Sequence, residues 1–306
     1  MQKLANKLAV IVLLLLTVSF LVFSAISYNK SKETIVDLSI DSKQISSVSA
    51  KVFVEEFYAT KIVALEGFER YIKNNPYLIN DKELLKEDLN KMAFLADVDE
   101  IYIGFANNGE MLGVENAKGK DPSMYHKGPK ENFDARIRPW YGQIAAGNGD
   151  IVYFEPYMTT TSNKYAMGIG KALIINGKTV GVIAVDIYLD DLKKELILIK
   201  DTKTAEVSIV DIAKGYFIYH ENYDRIMSKS PDDISVIKSF TDSYAKNLSN
   251  GFVYEYKGET KVGACEKYDQ ANWLVCSANY MSDYDEILNE VLTSQLVFSI
   301  LFIIII

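Results

Sequence analysis

Arg138, Trp140 and Asp186 are the side chains in this sequence whose types and settings best suit recognition of a small polar molecule. A guanidinium presents paired N–H donors that match a planar carboxylate. Trp140, two residues on, offers an aromatic wall that excludes water and so strengthens such bonds. Asp186 ends an otherwise apolar run, GVIAVDI, and a carboxylate in that setting faces an ammonium or a hydroxyl. Each residue also has a structural role open to it. Arg138-Pro139-Trp140 reads equally as a helix start with a core tryptophan and a surface arginine. Asp186 reads equally as a cap or turn at a strand end.

Nothing in the chain assembles into a catalytic arrangement. Its two histidines, His126 and His220, are far apart, and both read as loop residues. No nucleophile–histidine–acid set can be built from them. No phosphate-binding or dinucleotide glycine pattern is present. The chain therefore reads as a non-enzyme without a cofactor. A net charge of -8 argues against a nucleic-acid partner.

The two cysteines, Cys265 and Cys276, have no histidine at ligand spacing and make no metal site. They lie in KVGACEKYD and NWLVCSANY, two strand-like runs joined by a short polar loop. If Lys267 faces Leu274 across an antiparallel hairpin, Cys265 faces Cys276. Directly opposed residues are about 4.5–5.5 Å apart, a gap that a disulfide spans. An oxidising compartment permits the bond. Two reduced core thiols are the alternative, and the disulfide is the preferred reading.

The compartment follows from the ends of the chain. Residues 8–26, LAVIVLLLLTVSFLVFSAI, carry no charge, and as a helix they are about 28 Å long, close to a bilayer's hydrocarbon thickness. Lys3 and Lys7 precede them, which puts residues 1–7 in the cytoplasm and residues 27–290, approximately, outside it. An uncleaved anchor is preferred to a signal peptide because the apolar run is long for an h-region. The tail from Leu292, LTSQLVFSILFIIII, reads as the start of a second span. Residues 282–306 are then a descending helix entering the inner membrane. A cytoplasmic signalling part is expected to follow it and to be absent from this chain.

Between the spans the periodicities alternate. Leu38, Ile45, Val52 and Ala59 recur every seven residues, with Val48 and Ile62 in intervening positions, on a polar background without proline. This predicts one long stalk helix within residues 27–80, stopped by Asn74-Asn75-Pro76. Its stripe packs either on the domain or on a second copy of the chain. A short helix over residues 81–96 follows. Strands are then predicted at IYIGFA and MLGV, at DIVYFEPYM, KYAMGIGKALII and TVGVIAVDIYL, with a short helix at RPWYGQIAA between the two groups. After a linker helix the order repeats on a smaller scale: EVSIVDI, KGYFIYH, a helix over residues 232–248, GFVYEYK, TKVGACEKYD and NWLVCSANY. The expectation is an α+β protein with two tandem antiparallel-sheet modules behind a long N-terminal helix, flanked by transmembrane helices. The segments are residues 81–190 and 205–281 for the modules and residues 191–204 for the linker.

This layout resembles the double-Cache sensor region of bacterial methyl-accepting chemotaxis receptors. The resemblance rests on three segments in order. Asp134-Ala135-Arg136-Ile137-Arg138-Pro139-Trp140-Tyr141 is similar to the family's D-x-R-x-R-P-W-Y. Glu155-Pro156-Tyr157 is similar to its P-Y stretch. Gly181-Val182-Ile183-Ala184-Val185-Asp186-Ile187 is similar to its closing strand. The family fold has a long N-terminal helix, a membrane-distal and a membrane-proximal PAS-like module, and a ligand held by the distal one. In members that bind amino acids, the arginine and tryptophan grip the carboxylate end. The tyrosine and the closing-strand aspartate hold the ammonium with a further aspartate.

Carried over, the resemblance implies ligand contacts from Arg138, Trp140, Tyr141, Tyr157 and Asp186, with Tyr102 matching a further pocket tyrosine. One position departs from the pattern. Where the family has Y-x-D, this chain reads Tyr157-Met158-Thr159, and Thr159 cannot neutralise an ammonium. Two ligand sets remain: amino acids with uncharged side chains, which are preferred, and small hydroxy- or dicarboxylic acids. The reading is a membrane-held chemoreceptor sensor, working as a homodimer, with a small-molecule partner. A histidine kinase or diguanylate cyclase output on the same sensor, or a ligand-free dimerisation module, are the alternatives.

Overall fold

In the computed structural model, residues 2–115, 122–159, 162–246 and 251–305 are described. One helix, α1 (Gln2–Asn74), runs from the apolar N-terminal segment to the far end of the molecule. It stops where expected, because the α conformation is disfavoured for the residue before Pro76 and Asn75 leaves it. The stalk helix therefore does not reach residue 80: Pro76–Ile79 form a 3-10 turn. Helix α2 (Lys82–Leu95) then starts with the Asp81 carboxylate accepting from the Leu84 amide at 3.1 Å.

Two antiparallel sheets stand in a row on α1. The distal sheet contains β1 (Glu100–Phe105), β2 (Met111–Glu115), β3 (Ser123–Lys127), β4 (Val152–Met158), β5 (Tyr165–Ile175) and β6 (Lys178–Tyr188), in the order β3-β2-β1-β6-β5-β4. The proximal sheet contains β7 (Glu206–Asp211), β8 (Tyr216–His220), β9 (Phe252–Tyr256), β10 (Glu259–Tyr268) and β11 (Trp273–Tyr280), in the order β8-β7-β11-β10-β9. With β3 removed, the two orders are the same topology. Helices α3 (Pro139–Ala146) and α5 (Pro231–Ala245) occupy the same place in it, ahead of the last three strands. The two modules are a structural duplication.

Each sheet is buried on both faces, and strand parity decides what lies on each. Ile101, Ile103, Phe105, Ile183, Val185 and Ile187 share one cluster with Ala50, Val54, Tyr58, Leu65, Phe68 and Ile72 of α1. Tyr102, Val182 and Ala184 face the other way and pack with Trp140 and Ile144 of α3. The stripe of α1 that meets the sheets is thus not the heptad one. Leu38, Ile45, Val48 and Val52 are exposed, as is Ala59, and only Ile62 packs against the core.

Three local expectations need correction. β3, an exposed edge strand, was not among the strands expected. His126 lies in it, 3.2 Å from Glu110, rather than in a loop. The linker helix is earlier than expected: α4 (Leu189–Leu196) continues β6 directly and buries Leu189, Leu192 and Leu196. Residues 200–205 are not helical, since Asp201 is bonded to Ser42 and Lys43 of α1, and the Thr204 hydroxyl donates to Asp283 at 2.7 Å. His220 is not a loop residue either. It closes β8, buried, with Nδ1 accepting from the Asn222 amide at 3.0 Å.

A last helix, α6 (Asp285–Ile305), returns alongside the start of α1. The rings of Phe20 and Phe302 are 4.5 Å apart, and Gln295 donates to Ser27 at 2.8 Å. Among the described residues, α1 is the one helix that passes a test of length and apolarity for crossing a membrane.

On β10 and β11, Lys267 pairs with Leu274 and Cys265 with Cys276. The two cysteines are joined, with Cα atoms 4.1 Å apart. Alkylation of the folded chain should find no free thiol until reductant is added. Reduction should then cost about 2–3 kcal/mol, the loop closed being short, seen as a lower denaturation midpoint. Two thiols that react without reductant would remove the bond.

Candidate ligand-binding site

The D-A-R-I-R-P-W-Y segment divides into a scaffold half and a working half. Asp134 caps a 3-10 turn by accepting from the Arg136 amide at 2.9 Å, and its carboxylate also takes the Arg136 guanidinium at 2.6 Å. This corner sits against the β1–β2 turn, where Gly109 has φ +73° and a Cβ would lie 2.2 Å from Asp134. The Ala135 amide donates to the Gly109 carbonyl at 2.7 Å. So fixed, the corner delivers Arg138 in extended conformation and Pro139 at the first turn of α3. Trp140 then drops onto the sheet, its ring 4.8 Å from that of Tyr102.

A β-bulge supplies the opposite wall. Pairing of β4 with β5 shifts register between Phe154 and Tyr157, around Glu155 and Pro156. In a regular strand, residues 154 and 157 would face opposite ways. With the extra residue, both Phe154 and Tyr157 lie on the α3 side, while Tyr153 packs toward α1.

Together these elements enclose a cavity of about 20 Å³ lined by Glu100, Tyr102, Met111, Phe133, Arg138, Trp140, Tyr157 and Thr159. That is room for about one water. Asp186 lies beneath, fully buried, and accepts from Tyr102 at 3.0 Å and from Tyr157. Burial first, and the neighbouring Glu100 charge second, hold the Asp186 carboxyl well above the usual carboxylate range, against the pull of the two phenols. Burial also raises both phenols, so they stay protonated donors.

Of the residues singled out in the sequence, Tyr102, Arg138, Trp140, Tyr157 and Thr159 are brought together at the cavity, while Asp186, also expected there, lies outside the lining, behind Tyr102 and Tyr157. Tyr141 is not at the lining: its ring packs beside Trp140 and over Gly104. The Thr159 hydroxyl is engaged within its own turn, 2.6 Å from Ser162 and accepting from the Lys164 amide at 3.2 Å. Arg138 is half-buried with its Cζ 5.6 Å from the centre of the Phe133 ring. Among the described residues its guanidinium has no hydrogen bond or ion pair.

Sequence reasoning missed Glu100, Met111, Phe133 and Tyr125. Glu100 could have been found. It precedes Tyr102 by two in β1, and strand parity puts both on the same face. Tyr125 could not, since it reaches the site from the unrecognised β3.

The proximal module matches this site only in part. Glu206 opens β7 as Glu100 opens β1, but Arg138 caps α3 directly, whereas Arg225 ends a 3-10 turn five residues before the α5 cap, Ser230. Arg225 is buried between the rings of Phe217 and Tyr256 and donates to Asp233 at 2.6 Å, with its Nη1 2.8 Å from His220 Nε2. Lys261 is bonded to Glu206. Burial lowers the His220 imidazole to about 4, so it stays neutral there. A larger groove of about 400 Å³ lies between α1 and α2, but its polar side chains, Tyr71, Asp88 and Lys91, are bonded to one another.

Two PAS-like modules on one long helix, the distal one enclosing a polar cavity, define a tandem sensor domain. The chain belongs to the Cache domain family, whose model matches residues 29–291, in the double-Cache form carried by bacterial methyl-accepting chemotaxis receptors. It is 22% identical over 304 residues to the methyl-accepting chemotaxis protein TlpA of Bacillus subtilis, covering 95% of this chain and 41% of that protein. It is 26% identical over 269 residues to TlpB of the same organism, covering 84% of this chain and 37% of that protein. The chain thus spans about two fifths of the length of these relatives. Among solved structures, the sensory domain of the Campylobacter jejuni chemoreceptor Tlp3 with isoleucine bound aligns with a TM-score of 0.59 at 21% identity, over 83% of this chain and 97% of that one. The ligand-binding domain of the Pseudomonas fluorescens chemoreceptor CtaA with L-alanine aligns with a TM-score of 0.56 at 20% identity, over 78% of this chain and 95% of that one.

The Asp186 environment sets a pH signature. In the unfolded chain an aspartate loses its proton near pH 4, whereas folded Asp186 keeps it to higher pH. Folding therefore retains a proton in that window, and the contribution of Asp186 to stability falls as pH rises from the unfolded to the folded value. Asp186→Asn removes that loss. Denaturation midpoints of parent and variant should diverge in the variant's favour as pH rises from 4 toward 8. A difference that does not change with pH would mean that this carboxyl titrates normally.

Proposed function

We propose that this chain is the extracytoplasmic sensor of a transmembrane chemoreceptor and binds an amino acid with an uncharged side chain in its membrane-distal module. The observation that carries the reading is the contrast between an arginine in each module. Arg225 in the proximal module is ion-paired with Asp233 at 2.6 Å, with its Nη2 left unbonded among the described residues, whereas Arg138 lines the distal cavity with none of the described residues as hydrogen-bond or ion-pair partner. An α-carboxylate would complete Arg138 in bidentate geometry. Across the cavity, Asp186 with its two tyrosines would take the ammonium, and Trp140 would wall off water. The amino acids bound by the Tlp3 and CtaA sensor domains support this class of ligand.

At about 20 Å³ the cavity is smaller than any amino acid, so entry requires its walls to part. The ligand then favours one arrangement of the distal module over another, and that differential affinity is what shifts a signalling equilibrium. Residues 81–190 and 205–281 act as the distal and proximal modules. The signal passes to the membrane through α1 and α6, which are packed together at the apolar ends. The exposed stripe of Leu38, Ile45 and Val52 suits pairing with a second copy in a homodimer. Cysteine placed at Ile45 should cross-link two copies in membranes, and cysteine on the buried face at Val54 should not.

Titration calorimetry with the chain in lipid nanodiscs tests the ligand. Alanine and lactate differ in ammonium against hydroxyl, and alanine should bind more tightly. Asp186→Asn should cripple alanine binding while tolerating lactate. Arg138→Ala should abolish binding of either, a loss of several kcal/mol, with the melting temperature of the unliganded chain nearly unchanged. Tighter binding of lactate than alanine would overturn the amino-acid reading.

A further inference from the structure

We propose that Glu100 is the second anionic contact for the ligand's ammonium and so sets the preference of the site for amino over hydroxy acids, a role that rests on the amino-acid reading above. Thr159 stands where the sequence pattern calls for a carboxylate, and its hydroxyl is already used inside its own turn. The missing charge is supplied from the other side of the cavity. Glu100 lines that cavity, is 2% exposed, and lies directly opposite Asp186 in the β1–β6 pairing. Opposed residues on one face are neighbours at about 5 Å. Two carboxylates so placed in a buried setting repel strongly if both are charged, and a primary ammonium between them relieves that repulsion.

The position of Glu100 is built rather than incidental. Tyr125, on the edge strand β3, passes across β2 to donate its hydroxyl to Glu100. It can cross because residue 113 is glycine: a Cβ there would lie 2.2 Å from the tyrosine ring. A whole edge strand and a glycine are thus committed to aiming one carboxylate. The surrounding charges are arranged to match. Arg138 and Glu100 both line the cavity, with Asp186 opposite Glu100 on β6 and Glu115 opposite it on β2. Such a dipolar box fits a zwitterion and disfavours a purely anionic ligand.

Glu100→Gln is near-isosteric, and its amide oxygen can still accept from Tyr125. In calorimetry of the full chain in nanodiscs, it should weaken alanine by about 10- to 100-fold and leave lactate unchanged or improved, closing the gap between the two. Tyr125→Phe, which keeps Glu100 but releases it, should weaken alanine less and in the same direction, and serves if the glutamine variant does not fold. Alanine binding by Glu100→Gln within twofold of the parent would overturn the proposal while leaving the amino-acid reading intact. Equal weakening of alanine and lactate would also overturn it, because it would mark general damage to the cavity. Failure of the parent chain itself to bind any amino acid would instead defeat the reading on which the proposal rests.

Discussion

Both modules depend on one helix. The buried stripe of α1, from Ala50 through Val54, Tyr58, Leu65 and Phe68 to Ile72, covers the backs of two sheets at once. An antiparallel sheet with one face so covered still has a second face to bury. Each module meets that demand with its own short helix, α3 or α5. The space between a sheet front and its helix is where a fold of this kind can hold a small molecule. Having α1 behind both sheets leaves each front free to diverge without loss of the common frame.

The two fronts have diverged in their electrostatics. In the proximal one, Arg225 is paired with Asp233 and Lys261 with Glu206 inside the protein, and the disulfide ties the neighbouring strands. The distal one has Glu100 at the cavity, Asp186 behind it, and at its side the Arg138 guanidinium, which none of the described residues pairs. The same comparison explains why conserving the sheet and helix frame says little about where the ligand sits. The decision lies in a few side chains on each front.

The order of helices and strands was legible because the periodicities were clean. Alternation in IYIGFA and GVIAVDI, the Asn-Gly turns, and Pro139 at a helix start each express a local rule. The motif residues at the cavity were legible through resemblance, and Asp186 through its apolar setting. What was not legible was tertiary. The sequence offers two stripes on α1, and nothing local says that the one with Tyr58 and Phe68 meets the sheets while Leu38 and Ile45 do not. The edge strand β3 has one inward side chain of note, Tyr125, among exposed neighbours, too little to give the strand a pattern, so its reach to Glu100 stayed hidden. Tyr141, next to Trp140 in the motif, shows the converse: adjacency in sequence on a helix turns a side chain about 100° away, here toward Gly104.

The bulge in β4 sets a direction. Tyr157 shares the α3 side with Phe154 because the surplus residue at Glu155-Pro156 is taken up as a bulge and does not count in the alternation. Upstream of it, Tyr153 is 2.7 Å from Tyr268 of the proximal module, and Glu155 is 3.0 Å from Lys214. One short strand therefore carries the module joint and a wall of the cavity in fixed phase. Removing one residue from the bulge would restore regular pairing with the tyrosine still on the α3 side, whereas straightening the strand with every residue kept would turn it toward α1. Pro156 opposes such straightening because it has no N–H to give a regular ladder, so one proline that presents no polar group of its own fixes which way the strand beyond it faces.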